Sequence, residues 1–330
     1  MANAMAAIEP ALRAAVDRLP ETERAIAGYQ FCWWDEHGRP TPGRGGKGLR
    51  PALVLSSTAA AGVTAEHAIG AAVSVELVHN FSLLHDDIMD GDVLRRGRPS
   101  AWAVYGQKAT LLAGDALLVL AMDVLAETSG PRAPSAIRSL CQTLLELAKG
   151  QSQDIAFEKR PDVELLECLT MAGRKTASLT RYACSIGPSI AGIDSRTVQH
   201  LQDFGYHLGL AFQLMDDLIG IWGNEKRTGK PVGSDLLARK KTLPVVAALA
   251  SSDGARARLA ELYASPAPLT PSDVRAVIGL IERLGGRAWT EAEMRRQLDA
   301  ALSSLDAANL DPAAADELAE MASMAVRRDH

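Results

Sequence analysis

Aromatic residues are scarce in this chain: Phe, Tyr and Trp together make up 5% of its 330 residues. Hydrophobic residues still reach 47%, so any core must be aliphatic and rich in alanine. Long runs of Val, Ile and Thr are missing while Ala, Leu, Glu and Arg abound, which argues against a sheet-based fold. Cysteine is rare and unpatterned. Cys32, Cys141, Cys168 and Cys184 show neither CxxC nor zinc-ligand spacing, so a reduced interior is expected. An excess of positive charge is lacking as well. The formal net charge of −5 gives no global basic field and excludes a general nucleic-acid binder, so an anionic substrate would need a local basic cluster. The N-terminal "MANAMAAIEP" has no basic segment followed by an apolar run, so no secretory signal is expected and a cytoplasmic location is. The longest apolar stretch, residues 109–125, is interrupted by Asp115 and Asp123 and reads as a buried helix, not a membrane span.

What is present is helical periodicity from end to end. It predicts helices at about 5–19, 21–36, 50–61, 65–90, 109–128, 134–158, 162–188, 195–223, 241–250, 272–286, 289–307 and 311–327. Two basic, Gly/Pro-rich segments break the pattern: "HGRPTPGRGGKGLRP" (37–51) and "GNEKRTGKPVGSD" (223–235). No linker divides the chain, so the expectation is an all-α fold in a single domain over residues 1–330.

Chemistry concentrates in two acidic clusters. In "VELVHNFSLLHDDIMDGDVLRRGRP" an apolar helix ends in acid, with Asp86 and Asp90 four apart on one face and Asp87 about 100° away. Like charges at that spacing destabilise a helix, and burying them unpaired costs several kcal/mol. A divalent cation removes both problems, and hard carboxylate oxygens suit Mg²⁺, which binds through a few acids plus substrate phosphates. The bland alternative is a solvated helix end. The second cluster weighs against it: "GYHLGLAFQLMDDLIGIWG" sets Asp216 and Asp217 among apolar neighbours inside another helix. Two such pairs could face each other across a cavity, hold several Mg²⁺ ions and bind a diphosphate leaving group through bridged oxygens.

Basic residues stand beside these clusters. Arg95 and Arg96 follow the first, and guanidinium forks match phosphate oxygens. Lys47 and Arg50 lie in a loop whose glycines let backbone N–H groups approach an anion. Lys175-Thr176, Lys230 and Lys240-Lys241 are further candidates; any one of them alone would pass for an ordinary surface base. His79 lies two helical turns before Asp86, and Gln213 three residues before Asp216. Either could be a satisfied core residue, but the Gln213 amide dipole could also steady a carbocation in an apolar cavity.

At these residues the chain resembles the trans-isoprenyl diphosphate synthase (polyprenyl synthetase) family over residues 40–250. "GGKGLRP" is similar to its basic loop, "HDDIMDGDVLRRGRP" to its first aspartate-rich motif and "GQSQD" (150–154) to a mid-chain signature. "KTASL", "FQLMDD" and "GKPVGSDLLARKKTLP" complete six motifs in family order. The resemblance implies a helical bundle around a deep cavity, a homodimer, and condensation of an allylic diphosphate with isopentenyl diphosphate. It implies several Mg²⁺ ions on Asp86, Asp90 and Asp216, supported by Asp87 and Asp217. Lys47, Arg50, His79 and Arg96 would hold isopentenyl diphosphate. Arg95, Lys175, Lys230 and Lys240 would hold the allylic diphosphate, with Thr176 and Gln213 facing the developing cation. The chain departs from the pattern twice: Gly220 stands where the second motif has its third aspartate, and Gly48 replaces a common basic residue.

A class I terpene cyclase would share the fold and the first motif, but it would carry an Asn/Ser/Glu motif in place of the second pair and need no second basic site. A non-catalytic subunit of a heteromeric synthase would be expected to have lost its aspartates, and both pairs are kept. Product length rests on Phe81 and Ser82, five and four residues before Asp86. In the family, aromatics at both positions accompany a fifteen-carbon product, and an aromatic at the deeper one alone a twenty-carbon product. The expectation is geranylgeranyl diphosphate, with farnesyl diphosphate as the alternative.

Overall fold

The computed structural model describes residues 2–41, 46, 48–223, 233–265 and 267–326. They form α1 (Ala2–Val16), α2 (Glu21–Gln30), α3 (Leu49–Ala60), α4 (Ile69–Met89), α5 (Ala101–Tyr105), α6 (Gln107–Thr128), α7 (Ala133–Glu158) and α8 (Leu165–Ala172). A π turn (Gly173–Ala177) leads into α9 (Ser178–Ala191), followed by α10 (Ser195–Trp222), α11 (Ser234–Leu237), α12 (Leu243–Leu249), α13 (Arg256–Ala264), α14 (Pro271–Arg283), α15 (Gly286–Asp306) and α16 (Pro312–Val326). Among the described residues the only sheet is a two-residue antiparallel ribbon, β1 (Leu94–Arg95) on β2 (Arg98–Pro99). The fold is all-α.

The chain groups into two compact units. The first comprises the described residues of Met1–Gln142, Tyr182–Gln202 and Ala308–Leu318; the second those of Thr143–Arg181, Asp203–Ala307 and Ala319–His330.

The first unit is built on α4 packed along α6. Small residues make the approach close. The Ser74 hydroxyl donates to Ala121 O at 2.8 Å, Gly70 lies against Thr128, and Gly114 leaves room for the His85 ring. Its core is aliphatic, with Leu12, Ile26, Leu53, Leu77, Leu84, Leu117, Leu125 and Ile186 buried. Each such side chain contributes roughly 1.5–3 kcal/mol relative to exposure. Among the described residues α6 alone is long and apolar enough to cross a membrane. It packs here with Ala113, Leu117, Ala121 and Leu125 buried against its neighbours.

One predicted helix is shorter than expected: α2 ends at Gln30, not at residue 36. Cys32 adopts a left-handed φ of 61°, and the chain doubles back so that the Trp34 indole N–H donates to Ala25 O at 2.9 Å. Gly28 supplies the bare backbone on which that ring lies, since any side chain there would meet it.

The second unit has two apolar clusters. One gathers Phe157, Cys168, Met171, Ala177, Leu210, Leu214, Leu243 and Val246. The other gathers Ile221, Leu236, Val245, Leu259, Val274, Val277 and Ile281. Between α8 and α9 the continuous helix predicted at 162–188 widens into the π turn. Two glycines let neighbours close on that turn: a Cβ on Gly150 would lie 2.7 Å from Lys175 Cα, and one on Gly209 2.6 Å from Ala177 Cα. π turns concentrate at functional sites because they re-aim side chains.

Candidate active site

The first acidic motif sits at the C-terminal end of α4, where apolar burial gives way to solvent. Asp90 caps the helix, its N–H bonded to Asp86 O at 2.8 Å, and both residues are half-buried. Asp87, by contrast, is 1% exposed and accepts from the Arg95 guanidinium, with Nε at 2.9 Å from Oδ1. The ribbon β1–β2 brings Arg95 back onto it. Burial works against the Arg95 charge, but the bonds and field of Asp87 more than offset it and hold the pKa above its usual value. The ribbon turns through Arg96 (φ 54°) and Gly97 (φ 76°), the positive-φ pair of a tight hairpin. Glycine takes that conformation freely; Arg96 does so at a steric cost, one of the kinds of strain that persist at functional sites.

Of the residues expected to hold isopentenyl diphosphate, Arg50, His79 and Arg96 lie in this same unit. Arg50 Nη1 lies 3.3 Å from His79 Nε2, and Arg96 Nη1 donates to Gln30 O at 3.0 Å. A Cβ on Gly46 would lie 3.1 Å from the Arg96 guanidinium, which places that glycine beside it. Burial holds the His79 pKa well below the ordinary value, and Arg50, Arg96 and Arg95 push it further down, so the imidazole is neutral and accepts from Arg50. Beneath lies Glu76, 3% exposed and bonded to the Asn80 amide at 2.9 Å. Burial raises its pKa, partly opposed by Asn80, Arg50 and Arg96.

The second motif lies on α10. Asp216 is half-buried, while Asp217 is 6% exposed and fixed by the Gln213 amide at 2.7 Å and the Leu243 N–H at 2.9 Å. Gln213 is fixed in turn: its carbonyl oxygen accepts from the Thr176 hydroxyl at 2.6 Å. The π turn thus joins Thr176 to Gln213 and Asp217 in one line of hydrogen bonds. Burial pushes the Asp217 carboxyl up to about 7; the Leu243 N–H and Gln213 pull it down without prevailing, and Asp235 and Asp216 add to the rise. Lys175 bonds to Asp154 at 2.5 Å, and the Lys240 N–H bonds to Asp235 O at 3.0 Å.

The polyprenyl synthetase family profile matches residues 33–281. The chain belongs to the polyprenyl synthetase family. It is 46% identical over 324 residues to a (2E,6E)-farnesyl diphosphate synthase of Mycobacterium tuberculosis, covering 97% of this chain and 90% of that protein. It is 44% identical over 304 residues to a geranylgeranyl diphosphate synthase of the same organism, covering 92% and 87%. The crystal structure of a polyprenyl synthetase from Streptomyces coelicolor A3(2) superimposes with a TM-score of 0.94 at 45% identity, covering 99% of this chain and 98% of that one. Like its relatives, the chain is a trans-prenyltransferase of the short-chain kind.

Among the described residues no three acidic, His or Cys side chains converge as a ready-made metal cage. The donors present on both motifs are hard carboxylate oxygens, as Mg²⁺ requires. Lys47 and Lys230 lie outside the described residues. Three acids were missed by sequence reasoning: Asp154, Glu76 and Asp235. Asp154 and Asp235 sit inside quoted motifs, and Glu76 is the one acid in the otherwise apolar stretch before Asn80, so composition carried a signal that spacing did not.

Of the chain-length positions, Phe81 is half-buried and stacks edge-on against His85, with centroids 4.8 Å apart at 66°. His85 is itself anchored on Leu111 O of α6 at 3.1 Å. The Ser82 hydroxyl turns back to His79 O at 2.8 Å.

Proposed function

We propose that this prenyltransferase condenses allylic diphosphates with isopentenyl diphosphate and stops at the twenty-carbon product, geranylgeranyl diphosphate. The observation that carries the product length is the contrast between Ser82 and Phe81. Ser82, one turn before Asp86, is small and folded back on its own helix. Phe81, about 7.5 Å along the axis from Asp86, is braced by His85 and cannot swing freely. The growing tail passes the first and stops at the second. The 46% identity to a farnesyl diphosphate synthase favours a second reading, a fifteen-carbon product.

Mg²⁺ held by Asp86, Asp90 and Asp216 would supply the positive charge that makes diphosphate a competent leaving group. Arg50, neutral His79 and Arg96, with Lys47, hold the isopentenyl diphosphate. Arg95, Lys175, Lys230 and Lys240 hold the allylic diphosphate. Asp87 acts by holding Arg95, and Asp217 by fixing Gln213, whose orientation beside Thr176 sets the dipole offered to the allylic cation. The apolar walls exclude the water that would quench that cation. No side-chain base stands out for the final proton, which the departing diphosphate accepts.

The reading also takes the enzyme to be a cytoplasmic homodimer. Its four cysteines are all free, as expected of a reducing compartment, and Leu111, Leu112 and Val119 on α6 are exposed, an apolar surface suited to a second copy.

Chromatography of dephosphorylated products tests the chain-length reading. Wild type should yield geranylgeraniol, Phe81→Ala longer alcohols and Ser82→Phe shorter ones. Farnesol from wild type, or unchanged length in both variants, overturns it.

A further inference from the structure

Gly220 follows Asp216 by four residues, so the two share one face of α10. A third motif aspartate at 220 would point the same way as Asp216. The structure fills that place from elsewhere. A Cβ built on Gly220 would meet the Asp235 carboxylate, lying 2.8 Å from its Cγ, with Oδ2 closer still. Asp235 belongs to α11, a single turn whose Leu236 is wholly buried in the apolar cluster around Ile221 and Val274. The carboxylate is therefore carried to α10 by packing, and only a residue without a side chain at 220 lets it arrive.

Two buried hydroxyls on the segments around Asp217 and Asp235 have no partner among the described residues. Thr242 is 8% exposed and precedes Leu243, whose N–H holds Asp217 at 2.9 Å. It occupies the N-cap of α12, yet its hydroxyl neither caps the helix nor meets any other partner among the described residues. Tyr263 is 7% exposed, its hydroxyl likewise lacks a partner among them, and the charges around it include Asp235, Arg239 and the Lys241 ammonium 5.4 Å from its ring centroid. Leaving a buried hydroxyl unbonded costs about 1–3 kcal/mol. Water of a hydrated divalent cation beside Asp235 would offer the Tyr263 hydroxyl a partner, because Mg²⁺ keeps several of its waters when bound.

We propose that Asp235 supplies the third carboxylate of the second aspartate motif, seated on the bare backbone of Gly220 one turn beyond Asp216, and helps hold a hydrated divalent cation there. The inference rests on the reading of that motif as metal-bearing. Gly220 is then not a lost ligand but the seat of a relocated one.

The test is titration calorimetry of the full-length protein with Mn²⁺ in the presence of inorganic pyrophosphate, with no turnover involved. Asp235→Asn should weaken Mn²⁺ binding at least fivefold. Gly220→Asp, which restores the common family residue, should also weaken it, because the new side chain evicts Asp235. If Gly220→Asp fails to fold, the isosteric Asp235→Asn decides by itself. A loss below fivefold in Asp235→Asn, or tighter binding in Gly220→Asp than in wild type, overturns the proposal. Asp216→Ala separates the two levels: if it too binds Mn²⁺ as wild type does, the metal reading of the motif has failed, whereas a loss in Asp216→Ala beside a normal Asp235→Asn rejects only the role of Asp235.

Discussion

Asp87 and Asp217 hold the same place in their respective motifs, the second acid of an Asp-Asp pair, and both are buried. Their surroundings differ. Asp87 faces a guanidinium, so its negative charge is matched within the protein. Among the described residues Asp217 accepts from neutral donors, the Gln213 amide and the Leu243 N–H, and its pKa is pushed up to about 7 by burial. In both motifs the first acid stays half-exposed, while the second is turned inward to hold a neighbour in place. The two inner acids do this under different electrostatics: one is neutralised by Arg95, the other is fixed by the Leu243 N–H and the Gln213 amide while burial raises its pKa.

The largest effect should come from the outward acids. Asp86→Ala and Asp216→Ala are each expected to drop turnover below a tenth of wild type with the helical circular-dichroism spectrum unchanged, and exhaustive chelation with EDTA should abolish wild-type activity. Either variant retaining more than that, or full activity after chelation, would break the assignment of these acids to metal.

Next is the matched pair. Arg95→Ala leaves Asp87 buried without its cation, and urea unfolding should show a loss of about 3–5 kcal/mol. A loss under about 1 kcal/mol would mean that Asp87 finds a substitute partner and that the contrast with Asp217 is weaker than drawn.

The smallest effect sharpens the other side. Because the folded-state pKa of Asp217 lies above its ordinary value, the folded protein holds that proton more tightly than the unfolded chain. Stability from this group is therefore full below about pH 4 and is lost as pH rises toward about 7. Asp217→Asn cannot ionise. In metal-free protein its melting temperature should gain on wild type by several degrees between about pH 5 and about pH 8, and Mg²⁺ with pyrophosphate should narrow the gap. A difference that stays flat with pH would show that Asp217 is already compensated.

Much of this was legible beforehand, for identifiable reasons. The helices at 109–128, 134–158 and 195–223 are long and strongly periodic, and α6, α7 and α10 match them to within two residues. Elsewhere periodicity failed: α2 stops early because Trp34 folds onto Gly28, the β1–β2 ribbon forms because Arg96-Gly97 accepts positive φ, and the short helices α5, α11 and α13 lie outside every predicted helix. At the candidate site the residue types announced themselves, but their division of labour did not. Spacing placed Asp87 about 100° from Asp86, yet only the fold shows that the intervening angle turns it inward toward Arg95. The links from Asp154 to Lys175 and from Thr176 to Gln213 join residues 21 and 37 apart, separations with no local periodicity to reveal them.

The π turn at Gly173–Ala177 amounts to one surplus residue in an otherwise continuous helix. It sets the phase of what surrounds it. An α-helix advances about 100° per residue and a π turn less, so the wider winding absorbs the extra residue and keeps α9 in phase with α8; deleting one residue here would restore regular winding and re-aim the side chains of the turn itself. Thr176 would lose its register with Gln213 although every motif letter outside the deletion survived. Homology-guided shortening or grafting of this segment must therefore conserve residue count as strictly as residue identity.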